Sequence, residues 1–456
     1  MKPHGLALLP PLTLAASLLH GPVLAAEGPP LVVISIDGLH PSSVLEADRL
    51  GLRLPNLRRF VSEGSFARGV KGVLPTVTYP SHTTIVTGVP PSRHGILYNG
   101  PFDPLGKNRE GWYWYAEDLR VPTLWDVAAE AGLTVSNVDW PVTVGAGIRW
   151  NIVQFWRTDV PDAVDDRKLS RLLSTPGLMA EAEKVLGPYP SGYAYDIAAD
   201  RRRVAFNTWV LETKRPRLHF TYFSALDEEL HLTWPGSPSA GRVLEELDGL
   251  VGQVRSAAEQ VGGGRAVVAV VSDHGHVRTT RELRLNEALR AAGLVFLNER
   301  GRTTGYKAFG WGSGGSTAIM LKDPADETTR RTVKSILDGL SGLPDSPILR
   351  VLDGEGARAE GGFPDAAFVV GVKPDVRIST RMEDPVLGPG LPEGEHGYLP
   401  EVREMDASFF IAGPGIPAGR DLGRIDMRDM APTFAALLGL RLPDAEGRNV
   451  LPPAPR

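Results

Sequence analysis

The sequence predicts an α/β fold, in which helices flank a doubly wound, mostly parallel central sheet. Continuous apolar runs rich in β-branched residues indicate strands that are buried on both faces. Amphipathic helical patterns alternate with these runs along the chain, as in doubly wound proteins. Ligands of such sheets bind beyond the carboxyl ends of the strands, so the residues that follow each run are the first functional candidates.

Four runs are predicted as strands: residues 31–36, 217–223, 266–272 and 407–412. The first stops at Asp37 and Gly38, and the third at Asp273 and His274. Helices are predicted over residues 122–132, which carry a capping Thr123 and a terminal glycine, over the amphipathic stretch 241–261, and over 430–438.

Composition limits the class of protein and the kind of metal site. The chain has 456 residues, of which 42% are hydrophobic and 23% charged, so one large α/β domain or two to three smaller domains are possible. A net charge of −5 gives no reason to expect binding to a nucleic-acid polymer. Because the chain has no cysteine, any metal is held by His, Asp or Glu, a ligand set suited to zinc or a similar divalent ion.

The first 26 residues are predicted to be a signal peptide. Lys2 precedes an apolar stretch over residues 6–24, which ends at the small residues Ala25 and Ala26. An uncleaved anchor is the alternative, but the stretch is short and broken by prolines. The mature chain, residues 27–456, is therefore expected to be secreted or periplasmic, with no membrane span after cleavage.

Two stretches fit the sheet pattern poorly. Residues 140–195 are rich in Trp, Pro and Gly, and residues 301–397 mix glycine-rich turns with short strands. We interpret both as insertions that cap the site within a single catalytic domain. The aromatic residues between 112 and 115 and Tyr222 either stack on a nucleobase or pack in a core.

Acidic residues and histidines gather at the ends of the predicted elements. Alone, an Asp after a strand is often a helix cap or a turn residue, and Asp227 with His231 is often a surface pair one helical turn apart. His396, flanked by glycines, resembles any loop histidine. Taken together with Asp37, Asp273 and His274, however, these residues supply enough ligands for two divalent ions.

Residues 75–84 form a hydroxyl-rich turn that opens a predicted helix. A helix N-terminus favours anions through its free N–H groups and its dipole. A hydroxyl placed there beside a metal ion can ionise near neutral pH and attack phosphorus.

These motifs resemble, in their order along the chain, the nucleotide pyrophosphatase/phosphodiesterase branch of the alkaline phosphatase superfamily. The resemblance spans about residues 31–451, and its motifs are residues 33–38, 75–82, 84–88, 91–99, 227–231, 272–275, 396–398 and 425–439. It implies an alkaline phosphatase-like fold and two divalent ions, zinc in the family.

The resemblance also implies a role for each matched residue. Thr78 matches the nucleophile. One zinc would be held by Asp37, Asp273, His274 and the Thr78 oxygen, and the other by Asp227, His231 and His396. Asn99 would hydrogen-bond a phosphoryl oxygen, helped by the backbone N–H of Tyr79, whose aromatic ring would wall the esterifying group. His82 and His94 are expected to make supporting hydrogen bonds, and His276 is expected near the site.

The family's usual motif has Phe where this chain has Tyr79, Asn where it has Ser81, and Gly where it has Leu230, which leaves the substrate open. The implied function is hydrolysis of nucleotide-like phosphate diesters through a phosphothreonine intermediate. A phosphomonoesterase is the alternative, with Arg149 and Arg157 as candidate extra cations, and a phosphonate hydrolase would use the same metals. A non-catalytic binding protein is disfavoured because none of the seven ligand positions is lost.

Overall fold

The computed structural model describes residues 29–451 except 110 and 159. Its strands are β1 Leu31–Ile36, β2 Ser65–Phe66, β3 Gly69–Lys71, β4 Val135–Val138, β5 Trp150–Ile152, β6 Leu218–Phe223, β7 Val267–Val271, β8 Val277–Leu283, β9 Val295–Leu297, β10 Thr303–Tyr306, β11 Ala308–Trp311, β12 Ser316–Leu321, β13 Ile348–Asp353, β14 Phe368–Val372, β15 Val376–Ile378, β16 Leu387–Glu395, β17 Phe409–Ala412, β18 Arg420–Asp421 and β19 Arg424–Asp426. The predicted signal peptide lies outside the described residues.

The helices alternate with these strands. They are α1 Ser42–Leu45, α2 Ala47–Leu50, α3 Pro55–Glu63, α4 Thr78–Thr87, α5 Pro91–His94, α6 Leu124–Glu130, α7 Val164–Leu173, α8 Leu178–Leu186, α9 Ile197–Lys214, α10 Ala225–Leu232, α11 Pro238–Val261, α12 Leu285–Ala291, α13 Glu327–Ser341, α14 Gly354–Ala359 and α15 Met430–Leu437. None of the described helices combines the length and the apolar character that a membrane crossing requires.

An eight-stranded sheet in the order β18-β2-β17-β7-β1-β6-β4-β5 forms the centre of the molecule. The strands β7, β1, β6, β4 and β5 run parallel to their neighbours, whereas β17 pairs antiparallel with β7 and with β2. The predicted α/β fold class is therefore confirmed. The four predicted strands and three predicted helices are all present, with ends that differ by at most three residues and with both ends of β1 as predicted.

Both faces of the sheet are buried, which explains why its strands lack an apolar–polar alternation. Along β1, Val33 packs into a hydrophobic cluster on one face, and Val32 and Ile34 pack into a second cluster on the other. Helices α6 and α15 supply the first cluster, and α3 and α11 supply the second. Each fully buried Val or Ile contributes roughly 1.5–3 kcal/mol relative to exposure, so the sheet is a rigid base for the residues at its edge.

The two stretches that fitted the sheet pattern poorly have different structures. Residues 140–195 contain α7 and α8, but they also supply β5, which extends the central sheet beside β4. Residues 301–397 contain the antiparallel sheet β11-β12-β14-β13 with α13, packed around a hydrophobic cluster of its own. The short strands predicted in residues 301–397 are therefore present, but periodicity revealed neither their pairing into one sheet nor β5, which is only three residues long.

The buried His94 makes the stability of the fold depend on pH. Its Nδ1 accepts a hydrogen bond from the backbone N–H of Ile96 at 3.1 Å, and its Nε2 lies 3.1 Å from the Thr84 hydroxyl, which itself donates to the carbonyl of Val89. The ring is thus neutral, with its proton on Nε2. Burial lowers the pKa of His94 to about 3.

A histidine whose folded pKa is depressed binds protons more strongly in the unfolded chain, so its contribution to stability is lost as pH falls below about 6.5. Between pH 7 and pH 5 we expect His94 to cost about 2 kcal/mol of the free energy of unfolding. Urea unfolding of the chain and of His94→Gln at both pH values measures this cost. The loss on acidification should be smaller in the variant by that amount, and equal losses would contradict the assignment.

Candidate functional site

Three neighbouring strands bring three aspartates to one edge of the central sheet. In the order β6-β1-β7, Ile36 lies opposite Phe223 and Ser35 lies opposite Val271, so the strands end together. Asp37 follows β1 directly, Asp273 follows β7 after one residue, and Asp227 lies in the first turn of α10 after β6. Their position at the carboxyl ends of parallel strands is where ligands of doubly wound sheets bind.

Thr78 is the first residue of α4, and His82 fixes this end of the helix to the sheet. The imidazole of His82 lies with Nδ1 2.8 Å from the Thr78 carbonyl oxygen and Nε2 2.8 Å from the hydroxyl of Ser35 on β1. The Thr78 hydroxyl oxygen is consequently held 3.4 Å from Nε2 of His274. Thr78 is almost wholly buried yet lines the cavity described below.

Asp37, Asp273 and His274 form one group of potential metal ligands, whose donor atoms all lie within 4.8 Å of one another. Nε2 of His274 is 3.5 Å from Oδ1 of Asp37 and 3.1 Å from Oδ2 of Asp273. Tyr222 donates a hydrogen bond from its hydroxyl to the other oxygen of Asp37, at 2.5 Å. This contact fixes the orientation of the carboxylate. It gives Tyr222 a role in the site that does not require stacking on a nucleobase.

A second group contains Asp227, His231, His276 and His396, again with donor atoms within 4.8 Å of one another. Oδ1 of Asp227 lies 3.5 Å from Nε2 of His231, 3.9 Å from Nε2 of His396 and 3.0 Å from Nε2 of His276. The structure therefore brings together all seven residues predicted as metal ligands. It also places His276, which was not predicted as a ligand, in the second group.

The hydrogen bonds of His231 and His396 leave one nitrogen of each ring free for a metal. Nδ1 of His231 lies 3.0 Å from the carbonyl oxygen of Gly394, and Nδ1 of His396 lies 3.3 Å from that of Thr76. A carbonyl can only accept, so both Nδ1 atoms carry the proton and both Nε2 atoms keep their lone pairs. Such outer contacts commonly orient the histidines of metal sites.

The unpaired oxygens of the aspartates test whether divalent ions fit. Within the described residues, Oδ1 of Asp37, Oδ1 of Asp227 and Oδ2 of Asp273 are buried without a hydrogen-bond partner. Ligand atoms of a tetrahedral zinc lie about 3.4 Å apart, given bonds of about 2.0–2.1 Å. The distances from histidine Nε2 to carboxylate oxygen are 3.1–3.5 Å in the first group and 3.0–3.9 Å in the second, so both ranges include this value. Two divalent ions therefore fit the site.

Electrostatics also favours cations here. Burial raises the pKa of Asp37 well above its usual value, and the negative charges of Asp227 and Asp273 raise it further. Burial acts on Asp227 in the same direction, but His231 and His276 outweigh it and hold the pKa of Asp227 below its usual range. Burial lowers the pKa of His276 to about 4. The crowded carboxyl groups of Asp37, Asp227 and Asp273 therefore favour the binding of positive charge at this edge of the sheet.

Both ligand groups open into one cavity of about 1090 Å³, which is large enough for a nucleotide-sized molecule. Its floor contains Asp37, Thr78, Asn99, Asp227, His231 and His396. Aromatic residues are prominent elsewhere in its lining, among them Tyr98, Phe102, Trp112, Tyr193, Tyr195 and Trp311, beside polar residues such as Arg109 and Arg302. Thr78, the potential metal ligands and the aromatic side chains thus all line the same cavity.

Comparison with known proteins identifies the family. Residues 31–399 match the family model described as type I phosphodiesterase / nucleotide pyrophosphatase, which is most of the chain. The chain belongs to this family. The predicted membership, and with it that of the alkaline phosphatase superfamily, is confirmed. Because the family consists of hydrolases of phosphoric esters, the predicted enzyme class is confirmed at the level of the family.

Individual relatives of the family are distant. Human ectonucleotide pyrophosphatase/phosphodiesterase family member 1 is 24% identical over 260 residues, which cover 55% of this chain and 24% of that protein. Mouse bis(5'-adenosyl)-triphosphatase enpp4 is 24% identical over 261 residues, covering 56% of this chain and 49% of the relative. The matches thus span between a quarter and a half of these relatives' length.

A solved structure of the family has the same fold. Murine ectonucleotide pyrophosphatase / phosphodiesterase 5 superposes with a TM-score of 0.65 at 19% identity, covering 93% of this chain and all of the other. The similarity covers most of the chain, which agrees with the predicted alkaline phosphatase-like fold.

The two residues predicted to bind substrate have different positions. Asn99 lines the cavity, and its Oδ1 accepts a hydrogen bond from the backbone N–H of Tyr79 at 2.9 Å. That N–H is therefore not free for a phosphoryl oxygen, whereas the amide NH₂ of Asn99 is oriented by the contact. The Tyr79 ring is buried, donates its hydroxyl to Gln154 at 2.6 Å, and packs edge-on against Trp112. It supports the cavity wall and does not form it.

His276 was not predicted as a ligand, although a signal was present, because it follows Asp273 and His274 at a short spacing before β8. Of the aromatic residues 112–115, which were predicted either to stack on a nucleobase or to pack in a core, Trp112 lines the cavity. Tyr193 and Tyr195 were not predicted in the wall, since only the tertiary fold brings their loop beside Trp112.

Proposed function

We propose that this chain is a two-metal, zinc-dependent phosphodiesterase that hydrolyses nucleotide-like phosphate diesters through a phosphothreonine intermediate at Thr78. The observation that carries the proposal is the position of the Thr78 hydroxyl, at a helix N-terminus and 3.4 Å from His274 in the first ligand group. The second ligand group opens into the same cavity.

In the proposed mechanism, Asp37, Thr78, Asp273 and His274 hold one ion and Asp227, His231 and His396 hold the other. Bound divalent ions would supply the positive charge that favours the ionised hydroxyl and stabilises the phosphoryl and leaving oxygens. The set of imidazoles and carboxylates is one that suits zinc.

The chain's own residues then account for the bond changes. Thr78 gives its hydroxyl proton to water, and its oxygen bonds to phosphorus while the bond from phosphorus to the leaving alcohol oxygen breaks. That oxygen takes a proton from water, so one alcohol is released. Asn99 donates from its amide to a phosphoryl oxygen throughout. Water then attacks phosphorus, the bond to Thr78 breaks, and the monoester departs as Thr78 regains its proton.

The aromatic wall supports a nucleotide-like substrate. Trp112, Tyr193 and Tyr195 present flat surfaces in the cavity that contains Thr78, and stacking on aromatic side chains is a common way to hold a nucleobase. A solved neighbour, an inactive variant of murine ectonucleotide pyrophosphatase / phosphodiesterase 5, is described as a complex with AMP. Export to the periplasm or the cell exterior is part of the proposal, on the evidence of the apolar N-terminal stretch.

Preference for a diester over a monoester is the test of the proposed function. A monoester carries a second negative charge, and the two candidate cations Arg149 and Arg157 do not line the cavity, whose arginines are Arg109 and Arg302. We expect kcat/KM for bis-p-nitrophenyl phosphate to exceed that for p-nitrophenyl phosphate by at least about 10-fold. The reverse preference would support the phosphomonoesterase, and p-nitrophenyl phenylphosphonate in the same assay tests the phosphonate hydrolase.

A further inference from the structure

His276 comes two residues after His274 in the chain, but its ring packs against His231 and His396 of the other ligand group. Its side chain is fully buried, and its ring centroid is 5.1 Å from that of His231 and 5.2 Å from that of His396. Its Nε2 lies 3.0 Å from Oδ1 of Asp227, closer than the corresponding nitrogen of either neighbour.

This short separation is not a hydrogen bond. Within the described residues, both ring nitrogens of His276 and Oδ1 of Asp227 are buried without a hydrogen-bond partner, since the ring N–H direction and the carboxylate are not aligned. Buried polar groups are rarely left unpaired, and each such pair requires an explanation. A cation between the lone pair of Nε2 and the carboxylate oxygen satisfies both atoms.

We propose that His276 is a fourth protein ligand of the ion held by Asp227, His231 and His396. This inference rests on the two-metal site of the proposed function. With a carboxylate and three imidazoles, the Asp227 ion would have four protein ligands, one more than is usual for catalytic zinc, and would still accept a phosphoryl oxygen as a fifth. The other ion has three such residues and the hydroxyl of Thr78.

Two glycines hold the ring in place. A Cβ atom on Gly38, which has a φ of +73°, would lie 2.8 Å from Cε1 of His276, and one on Gly394 would lie 3.5 Å from its Cδ2. The ring is therefore closely packed between two backbone segments and cannot swing away from Asp227. His276 does not line the cavity, whereas Asp227, His231 and His396 do. It therefore approaches the ion from the side opposite the substrate.

The test is the crystal structure of the zinc-loaded full chain, with zinc located by its anomalous scattering. We expect a distance of about 2.0–2.1 Å from zinc to Nε2 of His276. Zinc bound to Asp227, His231 and His396 with that nitrogen farther than about 3 Å would overturn the fourth ligand and leave the proposed function standing. Absence of zinc at Asp227 would overturn both.

Zinc release to a chromogenic chelator gives a second measurement in solution. His276→Gln is expected to lose one of its two zinc ions at least about 10-fold faster than the unmodified chain. His396→Gln should behave similarly, and His94→Gln, which alters a buried imidazole outside the site, should release zinc at the unmodified rate. Equal release from His276→Gln and the unmodified chain would overturn the proposal. If His276→Gln does not fold, the distance in the unmodified chain decides.

Discussion

Replacing Thr78 with alanine is expected to lower kcat for bis-p-nitrophenyl phosphate by about four orders of magnitude or more. The hydroxyl is the proposed nucleophile, and loss of a nucleophile removes the covalent route while binding and electrostatic stabilisation remain. Its oxygen is held 3.4 Å from His274 at the start of α4, and Thr78 lines the cavity. Steady-state kinetics of the zinc-loaded variant measures the effect.

Thr78→Ser is the matched control, because it keeps the hydroxyl and removes only a methyl group. We expect it to retain turnover within about 100-fold of the unmodified chain. Acid quenching during turnover, followed by peptide mass spectrometry, should find a p-nitrophenyl phosphoryl group on Thr78 in the unmodified chain and on no residue in Thr78→Ala. Undiminished turnover by the alanine variant would show that the nucleophile is wrongly assigned.

Removal of the divalent ions is expected to have the second largest effect, on both activity and stability. Asp37 and Asp273 are buried, Asp227 is partly buried, and each has a buried oxygen without a hydrogen-bond partner among the described residues. Without cations these charges repel one another in a poorly solvated space. A chelator should reduce turnover to the background rate, and added zinc should restore it.

The same ions should stabilise the fold. An ion present at about 1,000 times its dissociation constant contributes about 4 kcal/mol, so the unfolding temperature should fall by several degrees on chelation. Differential scanning calorimetry with and without chelator measures the shift. Asp227→Asn weakens one of the two metal-ligand groups, so its unfolding temperature is expected to fall less on chelation than that of the unmodified chain. Unchanged turnover and unchanged unfolding in chelator would remove the two-metal model.

The central sheet could be predicted because its signal is local. Residues 31–36 and 266–272 read as uninterrupted β-branched runs, and burial on both faces is the physical reason for that pattern. Asp37, Asp273 and His274 follow these runs, so their proximity could be inferred from the parallel arrangement alone. Which ligands belong to which of the two ions could not be inferred in this way, because that assignment came from the family resemblance.

What could not be predicted depends on contacts between segments distant along the chain. Tyr79 was expected in the cavity wall because it follows the nucleophile, but its ring points away and packs against Trp112 and Gln154. The short strand β5 was hidden in a stretch rich in Trp and Gly, where only pairing with β4 gives it a regular form. Both outcomes follow from tertiary packing, which overrides local preference.

The seven predicted ligands lie on the sheet edge, on α4 or α10, or just after β16, while the aromatic wall comes from loops around residues 98–112, 193–195 and 302–313. Apart from Asn99, which lies in the first of these loops, reactivity and selectivity are thus encoded in separate parts of the polypeptide. Exchange of a wall loop can alter which ester is accepted without disturbing the ions or the nucleophile. A library confined to those loops would therefore explore new substrates on a constant reaction, and the rigid edge of the sheet is what makes that separation workable.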